Sequence, residues 1–338
     1  MTAGSRYRVA FFLAAEGDLE RLAALDPDRD TAELQRGERI WILQTFLRLH
    51  RAGFDCELVD RVPADGLVVF HAKQERDLRR RMPPGGAPVL VGVRADNRQP
   101  LAAEFEIVQN GRFADGRVRH LVPHWPQPGL VPRAADCATR VERVAYKGFA
   151  ENLDPGFRSE SWRRALAERG VEWELDERGF AGAAHDGTPL GWGDYSRIDV
   201  LLAVRPGARK TGFSKPASKL VNAWLAGTPA ILGPEYAYRE LRRSELDYFE
   251  AANPEQALAA IDRLRASPEL YRAMVENGRA RARDYDARAV AARWIELLGD
   301  RLPRLAEDPG RTRRRRLPLT LRRAARIVAR WASLRPPR

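Results

Sequence analysis

Only two cysteines, Cys56 and Cys137, occur in 338 residues. They are too few for a disulfide framework and lack the spacing of a zinc site, so both read as structural thiols. No apolar run approaches the 18 or so residues that a membrane-spanning helix requires. The start "MTAGSRYRVAFFLAAEGD" holds a short apolar run with an acidic flank. It reads as a first strand rather than a signal peptide, which places the chain in the cytoplasm. Of five histidines, His120 and His124 stand four apart, but "HLVPH" reads as a strand closed by Pro123, which sets the two rings roughly 13 Å apart. No shared metal ion is expected there, nor at "DPDRD" (26–30), whose alternating aspartates fit a solvated loop. No GxGxxG follows "YRVAFFLA", which argues against a dinucleotide dehydrogenase.

Lysine is also scarce: five lysines stand among 58 basic residues, and three of them, Lys210, Lys215 and Lys219, fall within "GARKTGFSKPASKL" (207–220). The net charge of +12 looks at first like a nucleic-acid signal. Residues 309–338, however, contain 11 arginines and no acidic residue, so eleven of those twelve charges sit in the tail and the rest of the chain is close to neutral. A folded nucleic-acid binder needs a basic groove, which a near-neutral body does not supply.

With 44% hydrophobic and 31% charged residues interspersed, the composition is that of a globular protein, and the length predicts two domains of roughly 100–200 residues each. Strand-like and helix-like segments alternate: "YRVAFFLA", a helix over "GERIWILQTFLRLHRAGF", then "DCELVD", "GLVVFHA", "APVLVGV", "FEIVQN" and "VRHLVPH". Such alternation is the rhythm of a parallel sheet with crossover helices. Prolines break it at "WPQPGLVPRAADCATR". A second series runs through "VERVAYKG", a helix over 157–169, "VEWEL", "IDVLLAV", "LVNAWLAG", "TPAILG" and "DYFEAA". It closes with two helices opened by Asn-Pro and Ser-Pro caps and a last helix, "ARAVAARWIELL", ending near Gly299. The α/β fold expected is two tandem Rossmann-like doubly wound domains: residues 1–125, a linker over 126–140, a second domain over 141–285, a closing helix over 286–308 that can cross back to the first domain, and a basic tail over 309–338.

Arg205 follows the strand "IDVLLAV" directly, at the carboxyl end where open α/β sheets bind ligands. A helix starting near Ser214 would place Lys215, Ser218, Lys219 and Asn222 on one stripe, opposite Leu220, Val221 and Trp224. Two cations, a hydroxyl and an amide at the positive end of a helix dipole suit a phosphate or diphosphate. Lys210 falls outside the stripe, in the loop. Lys147 and Gly148, in the turn after "VAYK", are placed to approach the same anion from a neighbouring loop.

"KPASKLVNAWLAGTPAILG" (215–233) resembles the donor-site helix of the GT-B glycosyltransferases, with Ser218, Lys219, Leu220, Gly227 and Pro229 matching the family pattern. "AYKGFAENLDPGF" is similar to the first strand and loop of that family's C-terminal domain, and "VPHWPQPGLVPR" stands in the place of its interdomain linker. The likeness covers residues 140–300 and, in architecture only, the N-terminal half. It implies the GT-B fold with an interdomain cleft, a nucleotide diphosphate sugar as donor, no cofactor, and transfer to a glycan, a lipid-linked acceptor or another surface polysaccharide. It also implies that Lys215, Lys219 and Arg205 stabilise the departing diphosphate without a metal ion. Many members carry a Glu-x7-Glu pair; here those places are Ser214 and Asn222. An Asn222 amide can still meet ribose hydroxyls, but the missing carboxylates leave retention or inversion unassigned.

A general base from the first domain would stand at a strand end, where Glu16, His71 and Asp96 are the candidates and Arg94 a possible acceptor ligand. His124, at the presumed hinge, is a further candidate, set against a plain hydrogen bond to linker backbone. In the tail, Leu321, Ala324, Ala325, Val328, Trp331 and Ala332 share one side of a helix, and Arg322, Arg323, Arg326 and Arg330 the other. A basic amphipathic helix beside "RTRRRR" fits an anionic membrane surface, with those four arginines and Trp331 as its contacts. Two other functions compete: a nucleotide-sugar epimerase of the same fold, which needs acid and base carboxylates not evident here, and a non-catalytic nucleic-acid binder using the tail.

Overall fold

The structure, a computed structural model, describes residues 7–14, 18–35, 37–134, 139–175, 191–206 and 215–333, with the side chains of 329–333 not described. Glu16, Cys137, Lys210 and Ser214 lie outside the described residues, as do the side chains of Arg330 and Trp331. The chain divides into two compact units, one of residues 1–123 with 287–338 and one of residues 124–286.

The first unit is built on a six-stranded, wholly parallel sheet. Its strands are β1 (Val9–Phe12), β2 (Glu57–Val59), β3 (Leu67–His71), β4 (Val89–Val93), β5 (Phe105–Val108) and β6 (Arg119–Leu121), in the order β2-β1-β3-β4-β5-β6. β1, β3, β4 and β5 are buried along their whole length, the continuous apolar pattern of strands covered on both faces. The predicted first long helix runs from Arg39 through Arg51, with a wider turn over Arg39–Leu43. It is followed by Gly53 in the left-handed region that glycine alone adopts freely. The helix Ala287–Glu296 packs against it.

The second unit carries a five-stranded parallel sheet of β7 (Arg143–Tyr146), β8 (Glu172–Leu175), β9 (Val200–Ala203), β10 (Ala230–Leu232) and β11 (Phe249–Glu250), ordered β11-β10-β9-β7-β8. The Asp199 carboxylate, just before β9, accepts the backbone N–H groups of Glu142 and Arg143 at 2.8 Å each and pairs with Arg133 at 2.6 Å. It thereby ties the entry of β7 to the entry of β9. The segment expected as a linker belongs to this unit along its described length: Val131 bridges to Asp194, and the Arg133 N–H donates to Ala226 O at 2.9 Å. The helices Pro254–Ala266 and Pro268–Ala282 begin at the predicted Asn253 and Ser267 caps, whose side chains accept the N–H groups of Gln256 and Leu270. A short helix, Tyr236–Leu241, stands between β10 and β11, where none was expected.

The tail helix Leu319–Ser333 is amphipathic as predicted, but its faces are turned the other way. Arg323 pairs with Glu75 at 3.2 Å, and Arg326 donates to the carbonyls of Pro100 and Glu104 at 3.1 and 3.0 Å. Arg322 is half-buried, whereas Leu321 and Val328 are 56% and 67% exposed. Arg323 and Arg326, expected as membrane contacts, are instead bonded within the first unit. The preceding helix, Pro309–Arg315, is held by Arg315, which pairs with Glu104 at 2.9 Å and donates to Ala306 O. Buried carboxylates and carbonyls on the first unit attract the guanidinium face more strongly than water releases it.

Candidate functional site

In the second sheet the strand order reverses between β7 and β9, which pair directly. Open parallel sheets bind ligands at such a switch point, outside the carboxyl ends of the strands. Three segments end or begin there: Tyr146, Lys147 and Gly148 after β7; Val204 and Arg205 after β9; and the helix Ser218–Ala226.

That helix starts at Ser218 rather than near Ser214. Lys215 precedes Pro216, whose ring disfavours helical backbone in the residue before it, so Lys215 stands ahead of the helix and not on its polar stripe. Ser218 is the first helical residue, and no side chain caps the first-turn N–H groups. Lys219, one residue on, donates from its ammonium to Lys147 O and lies over the Tyr146 ring, 4.7 Å from the centroid. A Cβ on Gly148 would stand 2.8 Å from that ammonium and 3.1 Å from the Tyr146 hydroxyl. Any larger residue at 148 would have to displace the Lys219 ammonium.

Arg205 pairs with Glu235 at 2.5 Å, both groups nearly or wholly buried. Glu235 follows β10, the neighbour of β9, so the rule that singles out Arg205 applies equally to it. Among the described residues its other oxygen, Oε1, has no hydrogen-bond partner, and neither does the buried Tyr238 hydroxyl. Burial raises the Glu235 carboxyl above its ordinary value, against the pull of Arg205, Lys219 and Lys215. The Lys219 side chain keeps some exposure, but its ammonium lies deep among protein atoms. Burial, reinforced by Arg205 and Lys215 and opposed by Glu235, pulls it down to about 7. Burial likewise pushes the Tyr146 phenol up to about 12. Among the described residues, Arg205, Lys219 and Lys215 all act on the one buried Glu235 carboxylate.

The other candidates divide. Lys147 spends its ammonium on Glu174 at 2.5 Å, on the neighbouring strand, and contributes its carbonyl to the site in place of its charge. Asn222 is buried and its Oδ1 accepts the Gln127 N–H at 3.1 Å, so that oxygen fixes the chain after Pro123 and is not free for a ribose. His124 donates from Nδ1 to Trp125 O at 2.5 Å, the backbone hydrogen bond weighed against a catalytic role. Asp96 is exposed in the turn after β4, beside Ala95, whose φ of 49° is rare for a non-glycine residue. His71 ends β3 and is buried. Its Nδ1 accepts the Lys73 N–H at 3.4 Å, its Nε2 has no partner among the described residues, and burial pulls its pKa down to about 4. The imidazole is therefore neutral at pH 7. Among the described residues no group of three His, Cys, Asp or Glu is placed to hold a metal ion.

No family model matches the sequence, and no curated protein matches it. Solved structures do match. A mutant of S. aureus TarM in complex with fondaparinux, alpha-GlcNAc-glycerol and UDP aligns over 77% of this chain with a TM-score of 0.53 and 8% identity. A second TarM crystal structure aligns over 76% with a TM-score of 0.50 and 8% identity. The pneumococcal O-GlcNAc transferase GtfA in complex with UDP and GlcNAc aligns over 76% with a TM-score of 0.50 and 14% identity. The fold is GT-B. The chain spans 58%, 60% and 60% of the TarM, mutant TarM and GtfA chains, respectively.

Proposed function

We propose that the protein is a glycosyltransferase whose second unit binds a nucleotide diphosphate sugar at the β7/β9 switch point. The observation that carries this reading is Lys219: an enclosed ammonium in the first turn of a helix, braced by the Lys147 carbonyl and Tyr146, with Arg205 and Lys215 acting on it. A diphosphate suits these cations and the N-terminus of the helix Ser218–Ala226, whose N-cap residue Ala217 makes no side-chain cap. In this reading Arg205, Lys215 and Lys219 take up the charge that develops on the departing diphosphate, the part a metal ion plays elsewhere. Glu235 holds the Arg205 guanidinium in place. UDP is named in the complexes of TarM and GtfA, which makes uridine the first base to test.

A thermal-shift panel of UDP, GDP and their glucose, N-acetylglucosamine and mannose conjugates tests the donor site. At 100 times Kd a ligand stabilises the native state by about 2.7 kcal/mol, and a rise of several degrees in Tm is expected for one nucleotide class. No rise with any of them would overturn the reading.

The acceptor is proposed to be a glycan or lipid-linked sugar met at an anionic membrane surface, a location now supported by a different face of the tail. Leu321, Ile327 and Val328 are exposed on the last helix, and Arg313, Arg314 and Arg316 are exposed just ahead of it in the chain, a combination that fits interfacial binding. In liposome co-sedimentation, Val328→Asp is expected to cut partitioning onto anionic vesicles several-fold. Equal partitioning of the variant and the wild type would sink the membrane location.

A further inference from the structure

Between the tail and the β5–β6 edge of the first unit lies a cavity of about 490 Å3, within the usual range for small-molecule sites. Its wall combines an apolar surface, including Leu101, Ala103, Val118, Leu321 and Ala325, with six arginines and only two carboxylates. Four of the arginines are occupied. Arg315 pairs with Glu104 and Arg119 with Asp115, each at 2.9 Å. Arg326 donates to the Pro100 and Glu104 carbonyls. Arg311 donates to Arg117 O at 3.1 Å and lies over the Phe105 ring.

Arg314 and Arg322 are different, since their guanidinium groups make no hydrogen bond or ion pair among the described residues. Arg314 is exposed at the rim. Arg322 is half-buried, and burial, together with neighbouring Arg315 and against Glu104, lowers its pKa. A guanidinium partly stripped of water and left without an acceptor is unfavourable unless an anion completes it.

We propose that this cavity binds the phosphate headgroup of an anionic amphiphile, with the phosphate on Arg322 and Arg314 and the apolar chain along Leu321 and Ala325. A free phosphate would satisfy the arginines but leave the apolar wall wet, and a neutral amphiphile would leave the arginines unpaired. One ligand meets both needs when anion and chain are joined. The site lies wholly in the first unit and does not depend on the donor site. Because a soluble lipid can fill it, it is also separable from binding to a bilayer.

The test is isothermal titration of the full-length protein with dihexanoyl phosphatidic acid below its micellar concentration, alongside inorganic phosphate and dihexanoyl phosphatidylcholine. The phosphatidic acid is expected to bind with a Kd at least tenfold below that of either comparison ligand. Arg322→Gln should weaken it at least tenfold, and Arg265→Gln, exposed in the second unit and outside the cavity, should leave it unchanged. Among the described residues the Arg322 guanidinium makes no hydrogen bond or ion pair, so Arg322→Gln should unfold close to the wild-type temperature. Loss of binding with retained Tm then separates a ligand contact from a structural role. Equal binding of inorganic phosphate, equal binding of phosphatidylcholine, an unaffected Arg322→Gln, or tighter binding of a single-stranded oligonucleotide than of the lipid would each overturn the proposal.

Discussion

Lys219→Met is expected to weaken binding of a nucleotide sugar by roughly 10- to 100-fold, the loss of a charge-assisted contact of about 1.5–3 kcal/mol. Its signature is a pH dependence that the variant lacks. In the ligand-free protein the ammonium titrates near 7, and a bound diphosphate favours the charged form and raises that value. Binding therefore takes up a proton above pH 7, and wild-type affinity should be greatest below 7 and fall as pH rises through it. A nucleotide sugar suits this measurement better than a nucleoside diphosphate, because its diphosphate diester has no group titrating near neutrality. A flat wild-type profile between pH 6 and 9 would remove Lys219 from the donor site.

The same substitution should stabilise the fold. The folded-state value of about 7 lies below the unfolded value of a lysine. Between the two the unfolded chain holds more protons, so stability rises with pH and the penalty is present in full below 7. Lys219→Met removes that penalty: its Tm should exceed the wild type's by a few degrees at pH 6–7 and converge with it toward pH 10. Loss of ligand with gain of stability is the pattern of a group kept for binding.

Arg315→Ala should cost about 3 kcal/mol, because it leaves the Glu104 carboxylate buried without its partner. The two side chains are only 8% and 11% exposed. Arg315→Met combined with Glu104→Leu removes both charges and should recover most of that loss, since a buried pair is often replaceable by apolar residues. Urea unfolding of the three variants checks both values. A single variant within 0.5 kcal/mol of wild type, the ordinary range for a surface substitution, would mean that the tail is not anchored there.

Much of the fold was legible in residue patterns. The continuous apolar runs that become β3, β4 and β9 are buried on both faces. The Asn-Pro and Ser-Pro pairs cap helices as expected, because capping is decided by adjacent residues. The strand end that carries Arg205 and the helix start that carries Lys219 were legible. The partners of Asn222 and Lys147, Gln127 and Glu174, were not, because they come from other segments. Glu235 was missed although it stands just past a strand, because nothing local shows that β10 lies beside β9.

By itself, then, the sequence determined the alternation that makes two parallel sheets, the helix starts, the cluster of lysines beside Arg205 and the amphipathic character of the tail. All of these follow from contacts between near neighbours along the chain. Only the tertiary structure decided which charges are spent and which are free. Lys147 is neutralised from an adjacent strand, Lys219 is not, and the tail's arginines turn inward to Glu75 and Glu104. A helical wheel shows two faces but not which is buried. That depends on the energy of bringing guanidinium groups to carboxylates more than two hundred residues away, and no local pattern carries it.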